Sequence, residues 1–361
     1  MSVTKPIKII ETYSIGLLGG LIFLFLNWPL PWILGPMTTL ILWKSSTYRD
    51  VYCPNLLKNS SFIILGIYFG LSFTKETFLT VGPYLFPFLL TTCILVAISI
   101  ANSIIISKFT NVDVVTSVFA SIPGGLSEMV AASESLNANT ALVTIFQTVR
   151  LLTVVFLVPF SVLHLFPTDM RGGPFETVSA EEVSSVFSYG WFILCGFVGW
   201  LLRKKLPAAF VIAPLLTTGV LNVLEVSLPG IPVLLLIFAQ LTIGISLGSK
   251  ITIQDIVKGG KYCGFYFGST IILILVSFGL GYLLSAQTVL DLPTAMLSLA
   301  PGGLVEMVLT ATAVKADPAI VSSLQFIRLL FIIIVVPALL KWWFGKKSAS
   351  ALVSPDKHKE L

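Results

Sequence analysis

Residues 121–130 read SIPGGLSEMV and residues 299–308 read LAPGGLVEMV, so one motif occurs twice in the chain. Each copy places a proline, two glycines and a glutamate inside an otherwise apolar stretch. Proline disfavours helix at the residue before it, and glycine allows a sharp turn. About ten residues flank each break, which as helix span roughly 15 Å, or half a membrane. The motif therefore predicts a helical hairpin at 113–136 and another at 291–314.

The composition is that of an α-helical membrane protein. Of 361 residues, 56% are hydrophobic and 11% are charged, and the mean hydropathy is +0.97. A soluble domain is about one quarter charged. An outer-membrane barrel would show short alternating strands instead. The first apolar run is not followed by a cleavage site for a signal peptide, so we expect a retained helix.

The two motifs belong to a repeat of nearly the whole chain. Pro123 and Pro301 are 178 residues apart (301 − 123 = 178), and the same offset superimposes Arg150 on Arg328 without a gap. Internal repeats of this kind mark structural units. We predict a first membrane repeat at 8–165, an acidic extracytoplasmic linker at 166–187, a second repeat at 188–343 and a basic cytoplasmic tail at 344–361. Each repeat contains six apolar segments.

Lysine and arginine predict that the two repeats have opposite orientations, because cytoplasmic loops are enriched in these residues. They follow the second and fourth segments of the first repeat, but the first and third segments of the second. Both termini are then cytoplasmic, in the inner (plasma) membrane. Since the positive charge follows the topology, we expect no nucleic-acid partner.

Opposite orientation requires an odd number of crossings in each repeat. We therefore predict an all-α polytopic membrane protein of two inverted-topology repeats, each with about five transmembrane helices and one re-entrant helical hairpin. The PGG segment is the best candidate for the hairpin, and a kinked crossing helix is the alternative.

Each repeat also places polar residues deep in apolar segments. A glutamate lies in the first turn of the second hairpin arm, and an arginine lies near the middle of the last segment, three residues after a glutamine. Either each glutamate pairs with its arginine, or the arginines bind an anionic substrate while a glutamate carries a proton or binds Na⁺. The candidate substrate-binding residues are Pro123, Gly124, Gly125, Ser127, Glu128, Gln147, Arg150, Pro301, Gly302, Gly303, Glu306, Gln325 and Arg328.

The two candidate sites are not identical. Ser127 and Thr148 of the first repeat become Val305 and Phe326 in the second, so we expect the first site to carry more of the substrate contact. An aspartate precedes each hairpin, at positions 113 and 291, as a helix N-cap or as a gate residue. The four cysteines and two histidines are scattered, so no metal, cofactor or catalytic residue is expected.

The doubled PGGLxEM stretch, each copy followed by QxxRLL, and the sequence WILGPM at 32–37 resemble the AbrB membrane-protein family over nearly the whole chain. Members of that family carry the label ammonia monooxygenase or regulator of gene expression. The monooxygenase label fits poorly, because copper or iron requires several His, Cys or carboxylate ligands. The inferred architecture is also similar to sodium–glutamate and citrate symporters, at the level of fold alone.

We therefore expect a secondary transporter, not an enzyme, for a small organic anion coupled to H⁺ or Na⁺. The substrate would bind between the two PGG hairpins. The alternative is a non-transporting membrane sensor or regulator that affects gene expression indirectly. The expected partners are the anion, the coupling ion and the lipid bilayer, and a homodimer is left open.

Overall fold

The structure, a computed structural model, describes residues 5–134, 136, 138–166, 186–206 and 208–352. Within these ranges the chain forms helices and no β-strand. Most of the predicted linker and residues 353–361 of the predicted tail lie outside the described residues, so the domain boundaries stay predictions. A short 3-10 helix (Val186–Tyr189) precedes α8. The α-helices are α1 (Lys5–Phe25), α2 (Pro31–Thr47), α3 (Asn55–Gly70), α4 (Lys75–Phe109), α5 (Val114–Ser121), α6 (Leu126–Glu134), α7 (Thr140–Leu165), α8 (Gly190–Leu202), α9 (Ala209–Val223), α10 (Val233–Lys250), α11 (Ile253–Gly259), α12 (Tyr262–Gln287), α13 (Leu292–Leu299), α14 (Leu304–Ala313) and α15 (Pro318–Leu352).

Six of these helices are long and apolar enough to cross a membrane: α1, α4, α7, α10, α12 and α15. Three shorter helices, α8, α9 and α14, are also apolar. Helices of this length and composition indicate a multi-pass membrane protein. The finer expectation of ten crossings stays a prediction.

The helix boundaries repeat with the offset found in the sequence. Val114 begins α5 and Leu292 begins α13 (292 − 114 = 178), and α2, α3, α6 and α7 precede α9, α10, α14 and α15 by the same number. One difference between the repeats is at Gly260, whose φ is 54°: it divides α11 from α12 where the first repeat has the single helix α4. The repeat is therefore present in the helix pattern. The opposite orientation of its two copies stays a prediction.

The start of α4 is fixed by two threonines, one before the helix and one in its first turn. Thr74 and Thr77 form a capping box, in which each hydroxyl accepts a hydrogen bond from the other residue's backbone N–H. Two satisfied N–H groups fix a helix start. The helix therefore begins at Lys75 and continues through Pro83 and Pro87.

The helices pack in two groups, and each group draws on both repeats. In the first, α2 packs on α1 and α10, α9 packs on α3 and α8, and α3 packs on α10. In the second, α12 packs on α4, α7 and α13, and α15 packs on α4, α13 and α14. We call α1–α3 with α8–α10 the scaffold group, and α4–α7 with α11–α15 the hairpin group.

Glycines bring the scaffold helices into backbone contact. A β-carbon on Gly66 or Gly70 of α3 would collide with the carbonyl oxygen of Val211 or Leu215 of α9. The equivalent glycines of α10, at 244 and 248, meet the backbone of α2 in the same way. Both pairs have the GxxxG spacing that lets membrane helices approach closely. Each repeat is thus tied to the other through its third helix.

Candidate functional site

The first PGG stretch forms a helical hairpin. α5 ends at Ser121, the chain breaks at Pro123, and α6 begins at Leu126. Beyond α6, the backbone N–H of Asn139 donates to Oγ1 of Thr116 in the first turn of α5, at 2.9 Å. An unbroken helix would separate these two residues by roughly 35 Å. The chain therefore turns back on itself as a helical hairpin. That this hairpin is re-entrant in the membrane stays a prediction.

The second PGG stretch repeats this geometry, since the backbone N–H of Asp317 donates to Oγ1 of Thr294 at 2.9 Å. Both hairpins begin at an aspartate that caps the first arm. A carboxylate oxygen of Asp113 accepts from the N–H of Thr116 at 2.8 Å, and one of Asp291 accepts from the N–H of Thr294 at 3.1 Å. The N-cap interpretation of the two aspartates is confirmed.

The tip glycines are required for close packing and not for a left-handed backbone. Neither Gly124 nor Gly302 has a positive φ. A β-carbon on Gly124 would meet Met129, and one on Gly302 would meet Met307, and both methionines are fully buried. The methionine therefore lies against the tip and would have to shift to admit a larger residue there. No role for these methionines was predicted, although both motif copies contain one at the same position.

Gln147 and Arg150 of α7 hold the first tip through backbone oxygens. Nε2 of Gln147 donates to the carbonyl of Phe119 at 2.6 Å. Arg150 donates from Nη1 to the carbonyl of Ile122 at 2.6 Å, and from Nη2 to that of Gly124 at 2.9 Å. Carbonyls at a helix C-terminus lack helical partners and form the negative end of the helix dipole. The arginine and the glutamine therefore cap α5 and attach it to α7.

The second tip has the equivalent contacts and two more. Gln325 and Arg328 both donate to the carbonyl of Ala300, and Arg328 also donates to that of Gly302 at 2.9 Å. In addition, Arg328 donates to the carbonyl of Leu299 at 3.1 Å and to Oε1 of Gln325 at 2.5 Å. Arg328 is therefore more completely engaged than Arg150.

The two arginines are buried near one another. They are 7% and 3% exposed, and α7, which carries Arg150, packs on α14 of the second hairpin. Within the described part of the chain, Nε of Arg150, Nε of Arg328 and Oε1 of Gln147 have no hydrogen-bond partner. Oε1 of Gln325 is occupied by Arg328. The first site therefore keeps more unused hydrogen-bonding capacity than the second.

Glu306 does not pair with Arg328, so the predicted ion pair is wrong for the second repeat. Its side chain is 7% exposed. Its carboxylate lies close to Gly303, the N-cap residue of α14. Glutamate at the third helical position reaches the N-cap in this way. Nη1 and Nη2 of Arg328 donate instead to carbonyl oxygens and to Gln325. Ion pairs among the described residues include those of Lys8 with Asp50, Arg49 with Glu11 and Lys75 with Glu225.

The remaining predicted site residues either lie in the turns of the hairpins or have side chains outside the described residues. Pro123, Gly125 and Pro301 lie in the turns between the arms. The backbone of Ser127 and Glu128 belongs to α6, but their side chains are outside the described residues, so the pairing of Glu128 with the first arginine stays a prediction. Among the residues described, no group of three or more His, Cys, Asp or Glu comes together to hold a metal ion.

Several known proteins are similar to this chain. The family model described as "Transition state regulatory protein AbrB" matches residues 2–82 and 32–344. A Bacillus subtilis (strain 168) protein named "Uncharacterized protein YhjN" is 26% identical over 299 residues, which cover 76% of this chain and 75% of that protein. An Escherichia coli (strain K12) protein named "Putative regulator AbrB" is 25% identical over 338 residues, which cover 91% of this chain and 94% of that protein.

Proposed function

The chain belongs to the AbrB family, and we propose that it is a secondary transporter for a small organic anion, driven by H⁺ or Na⁺. The anion would bind between the tips of the two hairpins, which would enter the membrane from opposite sides. The observation that carries this proposal is the pair of arginines buried at those tips.

Two positive charges inside a membrane protein require compensation. The hairpin carbonyls supply part of it, but they leave the Nε of Arg150 and of Arg328 unused. A carboxylate between the two guanidinium groups would accept charge-assisted hydrogen bonds from these donors and reduce their mutual repulsion. A neutral or cationic solute would form no such charge-assisted hydrogen bonds and would not reduce the repulsion. The site therefore favours an anion.

The hairpin tips provide a second source of attraction for an anion. α6 and α14 begin at the tips, so their first N–H groups and the positive ends of their dipoles lie there. Half-helices of this kind bind anionic groups in inverted-repeat transporters. The unused oxygen of Gln147 could accept a hydrogen bond from a substrate hydroxyl or amine, which supports the first site as the main substrate contact.

Glu306 is the proposed coupling residue, together with Glu128 at the equivalent position of the first repeat. The carboxylate of Glu306 lies at the start of α14, where it would repel an incoming anion. Binding of H⁺ or Na⁺ would remove that charge. Entry of the anion would then depend on the coupling ion.

Thermal unfolding of the purified protein tests the proposal directly. Carboxylates, amino acids, phosphate and ammonium would be compared at two pH values, with and without Na⁺. A ligand at 100 times its Kd stabilises by about 2.7 kcal/mol. We expect a shift with one class of anion that is lost in Arg150→Gln and kept in Lys315→Gln, which removes the same charge from an exposed position. A shift with ammonium alone would contradict the proposal.

The name of the Escherichia coli relative favours a second candidate, a membrane sensor that affects gene expression indirectly. A sensor would bind the anion without carrying it across the membrane. Saturable flux of the stabilising anion in liposomes would support the transporter, and its absence despite binding would support the sensor.

A further inference from the structure

An apolar groove of about 540 Å³ lies between the scaffold group and the hairpin group. Its walls come from α2, α7, α11 and the start of α12, and they include Ile41, Leu152, Phe156 and Phe267. Its volume is within the range of about 300–1,000 Å³ that is typical of small-molecule sites. α7 and α12, which line the groove, are both long and apolar enough to cross a membrane.

The groove offers almost no polar group to a ligand. The hydroxyl of Thr38 donates to the carbonyl of Leu34 at 2.7 Å, and that of Thr153 donates to Val149 at 2.8 Å. The thiol of Cys263 is likewise directed at a carbonyl of α11. A polar solute would lose its hydration here without new hydrogen bonds, which is costly. A hydrocarbon chain makes no hydrogen bonds to water and would therefore have none to lose.

The outer wall of the groove is open to the surroundings of the protein. Leu42 and Phe267 line it and are 55% and 45% exposed. A β-carbon added to Gly264, which also lines it, would meet no atom within 4 Å. A lipid chain can therefore enter sideways from the bilayer.

Positive charge lies close to the groove along α11 and α12. Lys261 is exposed and precedes Gly264 by one helical turn, and the exposed Lys258 follows Ile256 by two residues. Basic residues beside a groove between membrane helices attract anionic headgroups. We propose that the groove binds one chain of an anionic phospholipid, whose headgroup lies at Lys261.

The site touches the helix that holds the first hairpin tip. Val149 and Leu152 line the groove on either side of Arg150, which points into the protein and contacts the tip. A bound lipid would therefore be positioned between the scaffold group and α7. This inference does not depend on the proposed transport activity.

Retention of phospholipid by the purified protein tests the proposal. The protein would be purified in neutral detergent, incubated with phosphatidylglycerol or phosphatidylcholine of identical chains, and examined by native mass spectrometry and thermal unfolding. We expect phosphatidylglycerol to be retained at least fivefold better and to raise the Tm. Gly264→Phe should fill the groove and abolish retention. Gly279→Phe, at an exposed glycine of the same helix with equally open space, should not.

The headgroup contact has its own control pair. Lys261→Gln should reduce the preference for phosphatidylglycerol, whereas Lys315→Gln should leave it unchanged. If Gly264→Phe does not fold, Gly264→Leu replaces it. Equal retention of both lipids by the wild type, or undiminished retention in the folded Gly264 variant, would overturn the proposal. Loss of anion-induced stabilisation in that variant with normal lipid retention would also overturn it, because the groove would then belong to the transported solute.

Discussion

Arg150 and Arg328 occupy equivalent positions, yet their contacts differ. Arg328 donates to three carbonyls and to Gln325, whereas Arg150 donates to two carbonyls. The difference separates two roles that one sequence motif cannot separate. We expect the second arginine to contribute more to stability and the first to contribute more to anion binding.

Substitution by glutamine tests this division. Glutamine is too short to reach the tip carbonyls, and each buried polar group left unsatisfied costs about 1–3 kcal/mol. Arg328→Gln should therefore lower the Tm more than Arg150→Gln, while Arg150→Gln should lose more of the anion-induced shift. Both quantities come from the same thermal unfolding series. The reverse order for both would contradict the assignment.

Gly303 provides a second test at the scale of one residue. A β-carbon there would collide with the carboxylate of Glu306 and displace it from the start of α14. Gly303→Ala should therefore change the dependence of anion binding on pH or Na⁺ and lower the Tm. Gly268→Ala, in a helix with open space around it, should be neutral or stabilise by about 0.4–1 kcal/mol. An unchanged ion dependence in Gly303→Ala would argue against Glu306 as the coupling residue.

At the scale of elements, each hairpin is closed at both ends. The arginine and the glutamine hold the tip, and a threonine near the start of the first arm accepts the backbone N–H that follows the second arm. An aspartate caps the first arm in each case. A hairpin fixed in this way can present its tip at a constant depth.

Two variants of Asp291 distinguish an N-cap from a gate. Asparagine caps a helix as well as aspartate does, whereas alanine costs about 0.5–2 kcal/mol. We expect Asp291→Ala to lower the free energy of unfolding by that amount, and Asp291→Asn to be close to the wild type in stability and flux. A stable Asp291→Asn protein without flux would show that the negative charge itself is needed.

The hairpins and the repeat could be predicted because their signals are local. Proline, glycine and aspartate act on the backbone next to them, and a fixed offset of 178 residues is visible without any structure. The partners of the arginines could not be predicted. Glutamate was the obvious partner by charge, but Arg328 donates to the tip carbonyls, and the carboxylate of Glu306 lies against Gly303 at the start of its own helix. The packing of Met129 beneath Gly124 also depends on the turn geometry.

At the scale of the whole molecule, the helices group across the repeats rather than within them. The glycines of α3 pack on α9, and those of α10 pack on α2, so the scaffold group forms only when both repeats are present. The hairpins and the buried arginines all belong to the other group. We expect transport to involve movement of the hairpin group against the scaffold group.

If the two repeats have opposite orientations, as we propose, they give a specific labelling pattern. Single cysteines at Asn111 and Glu134, which flank the first hairpin, should react with a membrane-impermeant reagent from the cytoplasmic side. Cysteines at Gln287 and Lys315, which flank the second, should react from the other side. All four positions are exposed in the structure. The native cysteines would first be replaced, so that only the introduced cysteine reacts. Labelling of all four from one side would contradict the inverted topology.

The most direct measurement is uptake of the stabilising anion into liposomes that contain the purified protein, under an imposed gradient of H⁺ or Na⁺. A transporter predicts saturable uptake that follows one of the two gradients, disappears in Arg150→Gln and persists in Lys315→Gln. Uptake that is absent in the folded wild type, although the anion binds, would contradict transport.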